Sequence, residues 1–296
     1  MPTHYDIVFL GHICLDELVP YGGERMFATG SAVLCGAMAA AHVGKRVAVV
    51  TRMAERDAAI LAPLRAAGVD VHVIPAPATT VMEVVHPSPN LDERRMMQKA
   101  NTGFFQLSEL PRLDTAWLHL AGITDREFTL ELMTALKRSG YPLSTDMQSF
   151  VRQVTPGTGE VSFGDVPAKR EIVRLMDRLK LDVVEAELLT GHRDLEQAAC
   201  AIESWGCREI LITQSEGVLA RVSRKTFYQE FSNRNSSGRT GRGDTTFAGY
   251  LAWRMEHTPE ESLRFAAALV SLKMEKPGPF SGTLADVLER MDKSHP

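Results

Sequence analysis

The chain has 296 residues, of which 44% are hydrophobic and 24% charged, with 33 Lys and Arg against 37 Asp and Glu. This is the composition of an ordinary globular protein with enough apolar material for a sizeable core. The formal net charge of -4 provides no basic excess for nonspecific nucleic-acid binding, so we expect no nucleic-acid partner.

The four cysteines are scattered along the chain, without a C-x-x-C pair or a histidine at zinc-site spacing. Free, buried thiols in a reducing cytosol are therefore predicted. The N-terminal segment lacks the charged region and long apolar run of a secretory signal, and no stretch approaches the length of a membrane span. We expect a cytoplasmic protein with no membrane partner.

Apolar runs and helix-period stretches alternate along the chain. The first run, residues 7–11, is typical of a strand buried on both faces. Further strands are predicted at 46–51, 69–74, 115–120, 142–145 and 209–213, and helices at 31–43, 57–67, 126–139, 168–179 and 195–205. This alternation predicts a doubly wound α/β fold, with helices on both faces of a mostly parallel sheet.

Two regions interrupt the alternation. Residues 14–27 are neither helical nor a standard core strand, and residues 79–105 form extended pieces around a turn at 87–90. They predict a small antiparallel flap beside the main sheet. The turn-rich stretch 155–164 is expected to be an exposed loop. We therefore predict one domain over 1–296, with lid segments at approximately 12–27 and 79–105.

The most informative segment is residues 237–244, SGRTGRGD, followed by a helical pattern. Its glycines allow successive amides to point into one concavity, and the helix start adds free N–H groups and a positive dipole end. Arg239 and Arg242 add positive charge, so the segment predicts an anion site. A carboxylate there repels phosphate, and Asp244 is therefore interpreted as a base that deprotonates a hydroxyl attacking phosphorus.

On these residues alone, a glycine-rich turn in which Asp244 merely caps the helix remains open. The segment is neither a Walker A loop nor a dinucleotide-binding fingerprint.

The stretch GRTGRGDTTFAGYL, residues 238–251, resembles the C-terminal signature of the ribokinase-like (PfkB) carbohydrate kinases, D-T-x-G-A-G-D followed by a helix. Other matches follow in family order. Residues 11–16 resemble the N-terminal strand with its acceptor-binding aspartate, and Gly30-Ser31 with the helix after them resembles the first glycine signature. Residues 182–186 stand where the family has N-x-x-E, and 266–280 resemble the adenine-side helix and loop.

The resemblance implies a ribokinase-like fold and transfer of the γ-phosphate of ATP, with Mg²⁺, to a hydroxyl of a small sugar, polyol or nucleoside. In this interpretation Asp244 is the base, and the backbone of Gly241, Arg242 and Gly243 forms the anion hole with it. The resemblance assigns acceptor binding to Asp16, Gly30 and Ser31, nucleotide binding to Thr213, Ser215, Gly217, Lys273 and Gly278, and a magnesium-bound water to Glu185.

The sequence departs from the family pattern at several positions. Cys35 replaces a common asparagine, Gly238 replaces the first aspartate of the signature, and Arg242 replaces alanine. The loss of the aspartate at 238 argues against the potassium site of some relatives. Asp146 and Arg152 form either a surface ion pair or part of the site.

Two other functions are considered. A catalytically weak sugar- or nucleotide-binding regulator on the same fold is suggested by Cys35 and Gly238, whereas the retained G-x-G-D favours an enzyme. A doubly wound oxidoreductase lacks the N-terminal glycine fingerprint. The lid is expected to close over the substrates, and it could also pair with its copy in a homodimer.

Overall fold

The computed structural model describes residues 3–89 and 93–293. The strands in chain order are β1 His4–Leu10, β2 Cys14–Val19, β3 Met26–Gly30, β4 Val47–Met53, β5 Asp70–Pro75, β6 Thr80–Val85, β7 Arg95–Ala100, β8 Asp114–Leu120, β9 Leu143–Asp146, β10 Arg152–Val154, β11 Glu160–Phe163, β12 Arg178–Asp182, β13 Glu209–Thr213, β14 Gly217–Val222 and β15 Lys225–Glu230. The helices are α1 Ala32–His42, α2 Ala62–Ala66, α3 Leu130–Arg138, α4 Gln148–Val151, α5 Lys169–Leu175, α6 Val183–Thr190, α7 Leu195–Ser204, α8 Arg242–Trp253, α9 Pro259–Met274 and α10 Leu284–Lys293, with 3-10 turns at Glu55–Leu61 and Leu107–Glu109.

The larger sheet has nine strands within the described residues, in the order β15-β14-β13-β12-β9-β8-β1-β4-β5. Its strands run parallel from β5 to β13, and β14 and β15 add an antiparallel edge. Alternate residues of β1 enter opposite cores, because successive side chains of a strand point to opposite faces. Phe9 packs in the core that includes α1 and α8, and Leu10 in the core that includes α3 and α5. The doubly wound α/β prediction is confirmed.

The smaller sheet has the order β10-β11-β7-β6-β2-β3 among the described residues. The segments 14–27 and 79–105 contain all of β2, β6 and β7 and the start of β3, in agreement with the predicted small β flap. The pairing is mixed, since β2 and β6 run parallel. One face of this small sheet buries Met82, Met96 and Val161 against Ile123. Asn90 of the predicted turn lies outside the described residues.

Three sequence predictions are corrected by the structure. The helix predicted at 168–179 ends at Leu175, because the following residues form the buried strand β12 between β9 and β13. The helix predicted at 57–67 is a 3-10 turn as far as Leu61 and an α-helix, α2, only from Ala62 to Ala66. The loop predicted at 155–164 contains β11, which pairs with both β10 and β7 and so belongs to the small sheet.

Where the chain passes between the two sheets, hydrogen bonds connect four residues, which we call the crossing cluster: His12, Thr80, Gly103 and Glu127. The His12 amide donates to Glu127 Oε2 (2.7 Å). In the His12 ring, Nδ1 lies 3.0 Å from the Thr80 hydroxyl and Nε2 lies 3.0 Å from the Gly103 carbonyl oxygen. Burial lowers the pKa of His12 to about 3, so its imidazole is neutral and can accept from Thr80 while donating to Gly103. Three strand connections are thereby tied at one point.

In the part of the chain that the structure describes, no helix has the length and hydropathy to cross a membrane. The four cysteines are free thiols; Cys14, Cys35 and Cys207 are buried, as predicted, whereas Cys200 is exposed, so the prediction of a buried thiol is wrong there.

Candidate active site

The glycine-rich turn and the start of α8 form the centre of the candidate site. Gly241 has a φ of 80° and caps the helix, so Asp244 is the third helical residue rather than the cap. The Arg242 amide donates to the Arg239 carbonyl oxygen (3.1 Å), which closes the turn. The helix start and its cap therefore offer the amides of Gly241, Gly243 and Asp244 to an anion.

Gly241 is required by both its conformation and its surroundings. A positive φ is unfavourable for residues with a Cβ. A Cβ at this position would also lie 2.5 Å from the Cys35 Sγ on α1. The turn is therefore packed directly on the helix that follows the first glycine signature.

The Asp244 carboxyl has conflicting electrostatic neighbours. Burial and the nearby Asp146 carboxylate raise its pKa, whereas the positive charges of Lys180, Arg152 and Lys273 oppose the rise. A raised pKa makes the carboxylate a stronger proton acceptor. The three cations allow this half-buried carboxyl to stay ionised.

A buried ion pair lies beneath the anion-binding turn. The Lys180 ammonium, on β12, is 2.7 Å from Asp146 Oδ2 and 4.0 Å from Glu185 Oε2. A Cβ on Gly243 would come within 2.7 Å of this nitrogen, so the lysine reaches the backbone of α8. Burial disfavours the charged lysine, but the surrounding carboxylates more than compensate and raise its pKa. The lysine therefore keeps a positive charge directly below the turn.

Glu185 has one oxygen in a helix cap and one without a partner. Asp182 and Glu185 form a capping box at the start of α6, in which the Asp182 amide donates to Glu185 Oε2 (2.7 Å). Oε1 is buried and has no hydrogen-bond partner among the described residues. Burial raises the pKa of Glu185, against the charge of Lys180. The motif that resembles N-x-x-E thus caps α6 and leaves one oxygen, Glu185 Oε1, available to accept a hydrogen bond.

The spare oxygen fits a magnesium ion that is held mainly by the phosphates of a donor. Such an ion keeps several waters, and Glu185 Oε1 could accept a hydrogen bond from one of them. Within residues 3–89 and 93–293, no group of three or more His, Cys, Asp or Glu residues could hold a metal by itself. The residues present therefore support a donor-bound ion rather than a resident one.

Asp16 and Gly30 face each other on β2 and β3 of the small sheet. A Cβ on Gly30 would lie 1.8 Å from Asp16 Oδ2, so only glycine leaves this carboxylate in place. The Cys14 thiol donates to Asp16 Oδ1 (3.2 Å). Burial raises the pKa of Asp16 to about 6, against the hydrogen bond from Cys14 and the charge of Arg152. The carboxylate is thus partly desolvated and ready to accept hydrogen bonds from a ligand.

Ser31 and Cys35 connect the Asp16 side of the site with the Asp244 side. Ser31 has a φ of 140°, and its hydroxyl accepts from the Leu34 amide (3.1 Å) as the cap of α1. Such a backbone is strained for a residue with a side chain. Burial raises the pKa of the Cys35 thiol to about 12, and the charges of Asp244 and Asp16 add to the rise. The Cys35 thiol is therefore close enough to both carboxylates for their charges to act on it, so Asp16 and Asp244 both lie near the first turn of α1.

Four of the residues expected at the nucleotide lie in or beside two loops, whereas the fifth, Lys273, is buried. Thr213, Ser215 and Gly217 lie where β13 turns into β14, and Ser215 donates to the neighbouring Glu216 side chain. Gly278 lies in the loop after α9 with a φ of 87°. Lys273, by contrast, is buried, and its ammonium donates to the carbonyl oxygens of Gly238 and Thr240 behind the anion-binding turn.

The structure places two basic residues near the carboxylates of the site, and the sequence analysis had not assigned either of them a definite role there. Lys180 was not predicted to take part in the site, although a lysine in the apolar strand RLKLD just before a helix cap is a readable signal. Arg152 is not paired with Asp146, which is bonded to Lys180 instead. Its Nε is buried without a hydrogen-bond partner in the described part of the chain, and its charge lowers the pKa of Asp16, Glu185 and Asp244.

Comparison with known proteins gives a consistent set of relatives. The family described as pfkB family carbohydrate kinase matches residues 5–285. A cytidine kinase of Thermococcus kodakarensis is 26% identical over 295 residues, covering 94% of this chain and 99% of the relative.

Two solved structures extend the comparison. A pyrophosphate-dependent kinase in the ribokinase family, complexed with a pyrophosphate analog and myo-inositol, is 31% identical, with a TM-score of 0.87 over 96% of this chain and 99% of that one. An Arabidopsis thaliana ribokinase complexed with ribose and ATP has the same fold, with a TM-score of 0.77 at 19% identity over 98% of this chain and 99% of that one.

Proposed function

The chain is a kinase of the pfkB carbohydrate kinase family, and we propose that it transfers a phosphoryl group to a hydroxyl of a small cyclic polyol, sugar or nucleoside, with Asp244 as the base. One observation carries this proposal. Asp244 lies at the start of α8, whose Gly241 cap packs on Cys35 in α1, while the desolvated Asp16 carboxylate lies against Gly30, just before the start of α1. The arrangement gives separate places to a phosphate and to an alcohol.

The reaction follows from these positions. An acceptor hydroxyl held by Asp16 loses its proton to the Asp244 carboxylate while its oxygen attacks the terminal phosphorus of the donor. The amides of Gly243 and Asp244 hold the negative charge on the transferred group, and Lys180 lies beneath them. The bond from phosphorus to the bridging oxygen breaks, and the shortened donor leaves. Magnesium bound to the donor would neutralise phosphate charge, with Glu185 accepting from one of its waters.

ATP is the donor that the family resemblance implies, and pyrophosphate is the second candidate. Pyrophosphate has no adenosine to anchor, so its binding must come from charge on the protein. The turn supplies Arg239 and Arg242, and Lys180 and Lys273 add buried charge beside it. This concentration of cations favours a compact, highly charged donor. The pyrophosphate dependence of the relative with 31% identity supports the same candidate.

The acceptor is proposed to bind between Asp16 and the inner face of the small sheet. That face carries Met82 and Met96, both buried, beside the polar Gln98. A ring with hydroxyls on its edge and apolar C–H groups on its face suits such a surface. Cytidine and myo-inositol, the compounds named for the relatives, both meet this description.

The experiment that tests the proposal is a matrix of donors and acceptors. ATP and pyrophosphate, each with magnesium, are incubated with inositols, pentoses, hexoses and nucleosides, and the phosphorylated product is detected directly. We expect one donor and one acceptor class to stand out, with product formation by the Asp244→Asn variant lower by about 10²–10⁴. Absence of product in every combination, with a folded wild-type protein, would refute the assignment.

A further inference from the structure

The ammonium of Lys273 lies among backbone carbonyls behind the anion-binding turn. Lys273 is in the last turn of α9 and only 2% exposed, and Nζ donates to the carbonyl oxygens of Gly238 and Thr240. The backbone of Gly238 rests against the end of the same helix: its amide donates to the Met274 carbonyl oxygen (2.8 Å), and a Cβ there would meet the Lys276 oxygen at 1.8 Å. Carbonyls at a helix C-terminus carry partial negative charge, so this place suits a cation.

The two hydrogen bonds fix the direction of two amides. In a trans peptide the C=O and N–H point to opposite sides. Because the Thr240 carbonyl is held by Lys273, the Gly241 N–H points away from α9. The Gly238 carbonyl orients the Arg239 N–H in the same way. The lysine therefore sets how the turn presents its donors to an anion.

The same ammonium contributes charge to the catalytic end of the turn. A Cβ on Gly241 would lie 3.9 Å from the Lys273 Cε. Asp244 and Cys35 are the titratable groups that face it, and its positive charge lowers the pKa of the Asp244 carboxyl. Loss of the charge would therefore raise the pH at which Asp244 becomes a usable base.

We propose that Lys273 is a positioning residue that serves as a built-in monovalent cation, so that the anion-binding turn is organised without potassium from solution. Backbone carbonyl oxygens are the ligands by which proteins replace the water around K⁺, and the ammonium takes its place among them. Removal of the side chain should leave a carbonyl-lined space open to K⁺ or NH₄⁺. The inference deepens the proposed kinase function and rests on it.

The test compares the full-length wild type with Lys273→Met and with Lys225→Met, which replaces an exposed lysine at the start of β15. Turnover is measured in potassium, ammonium, sodium and choline chloride at equal ionic strength. We expect wild type and Lys225→Met to be alike in all four salts. Lys273→Met should lose about 10²–10³ in kcat in choline, the range found when one anion-hole donor is lost. Potassium or ammonium should raise the kcat of Lys273→Met at least about tenfold above its value in choline, with the acceptor KM nearly unchanged.

The pH profile and thermal melting give readouts that a purely structural lysine would not move. The acid limb of kcat should shift to higher pH in Lys273→Met and return when ammonium is added. The melting temperature of this variant should rise with potassium or ammonium but not with choline, because only a bound cation stabilises the folded state. The melting readout needs no turnover, so it decides the inference even if no substrate is found.

Three results would overturn the inference: stimulation of the wild type by potassium, unchanged kcat in Lys273→Met, or a loss that no small cation restores in activity or in melting. If Lys273→Met does not fold, two other measurements decide the inference. They are the salt comparison on the wild type and the activity of Lys273→Arg, which keeps the charge and should stay independent of potassium. Absence of product from every donor and acceptor would instead reject the proposed function.

Discussion

Asp244 is half-buried, and it must remain ionised to act as the proposed base. Burial and Asp146 raise the pKa of its carboxyl, and Lys180, Arg152 and Lys273 counter them from three different elements. In the proposed mechanism, this balance keeps the carboxylate ionised while making it a stronger acceptor for the proton of an alcohol. It also explains why a carboxylate is tolerated next to a phosphate site: the surrounding cations offset its repulsion.

The first prediction concerns this base. Asp244→Asn keeps the shape of the side chain and removes its proton-accepting charge, so donor binding should persist while kcat falls by about 10²–10⁴. The measurements are kcat with the best acceptor and donor affinity by calorimetry. Turnover near that of the wild type would exclude Asp244 as the base.

The second prediction concerns Asp16 and its neighbour Gly30. Loss of a hydrogen bond to a charged group costs about 1.5–3 kcal/mol, so Asp16→Ala should raise the acceptor KM about ten- to a hundredfold with donor affinity unchanged. Since the pKa of Asp16 is about 6, the wild-type acceptor KM should also rise as the pH falls through 6, and this component should vanish in Asp16→Ala.

Gly30→Ala provides the companion measurement. Its Cβ would displace the Asp16 carboxylate without removing the charge, so it too should raise the acceptor KM. Equal weakening of donor and acceptor in these variants would assign Asp16 to structure rather than to the site.

At the level of elements, the crossing cluster controls how the strands leave one sheet for the other. Glu127 is fully buried and accepts from the amides of His12, Ile123 and Thr124. Burial raises its pKa from 4.5 to about 7, although the three amides oppose this. Arg52 supports the same region by donating from Nε to the Thr102 carbonyl oxygen (3.0 Å). The connections are thus held by buried polar contacts.

The third prediction follows from the pKa of Glu127. A carboxyl with a pKa raised on folding stabilises the protein most at low pH, and this contribution is lost as the pH rises from 4.5 to about 7. Denaturant unfolding of wild type should therefore show a component, about 2 kcal/mol between pH 5 and pH 8, that Glu127→Gln lacks. Glu131→Gln, at an exposed position on α3, is the control. A wild-type advantage that grows with pH would mean that the amides hold Glu127 ionised.

At the level of the whole molecule, the residue proposed to bind the acceptor belongs to the small sheet, whereas the proposed base lies on a helix that packs on the large sheet. Asp16 is on β2 of the small sheet, whereas Asp244 is on α8, which packs on the large one. The distance between acceptor and base therefore depends on how the sheets are oriented, which the crossing cluster governs. Closure of the small sheet would also exclude water, the competing acceptor.

The fourth prediction concerns the free edge of the small sheet. Strand β3 pairs with β2 on one side, and the described residues leave its other side without a strand. Phe27 is 74% exposed there, and Tyr21 and Met26 are exposed near it. Exposed edges with large apolar residues invite pairing, so we expect a two-fold homodimer through β3.

Light scattering on a sizing column tests this expectation. Phe27→Glu should convert the dimer to a monomer, while Leu107→Glu, exposed on a 3-10 turn, should leave it intact. A monomeric wild type, or a dimer that tolerates Phe27→Glu, would contradict it.

The sequence alone determined the features that depend on local pattern. Buried strands show as short apolar runs, the glycine spacing before α8 marks the anion-binding turn, and ordered motif matches predict the family. The same patterns misplaced the boundary after Leu175 and missed β11, because the residues that pair with these strands are distant in the chain. A short strand with polar residues looks like a loop until its partner is known.

The tertiary structure decided the electrostatics of the site. The ammonium groups of Lys180 and Lys273 come from a strand and a helix far from Asp244 in sequence, and nothing local shows that they converge on one turn. Lys273 was expected at the nucleotide because of its place in a resembling segment, whereas its ammonium is bonded behind the anion-binding turn. Residue type and spacing can identify a base, but its charge state depends on desolvation and on neighbours that only folding brings together.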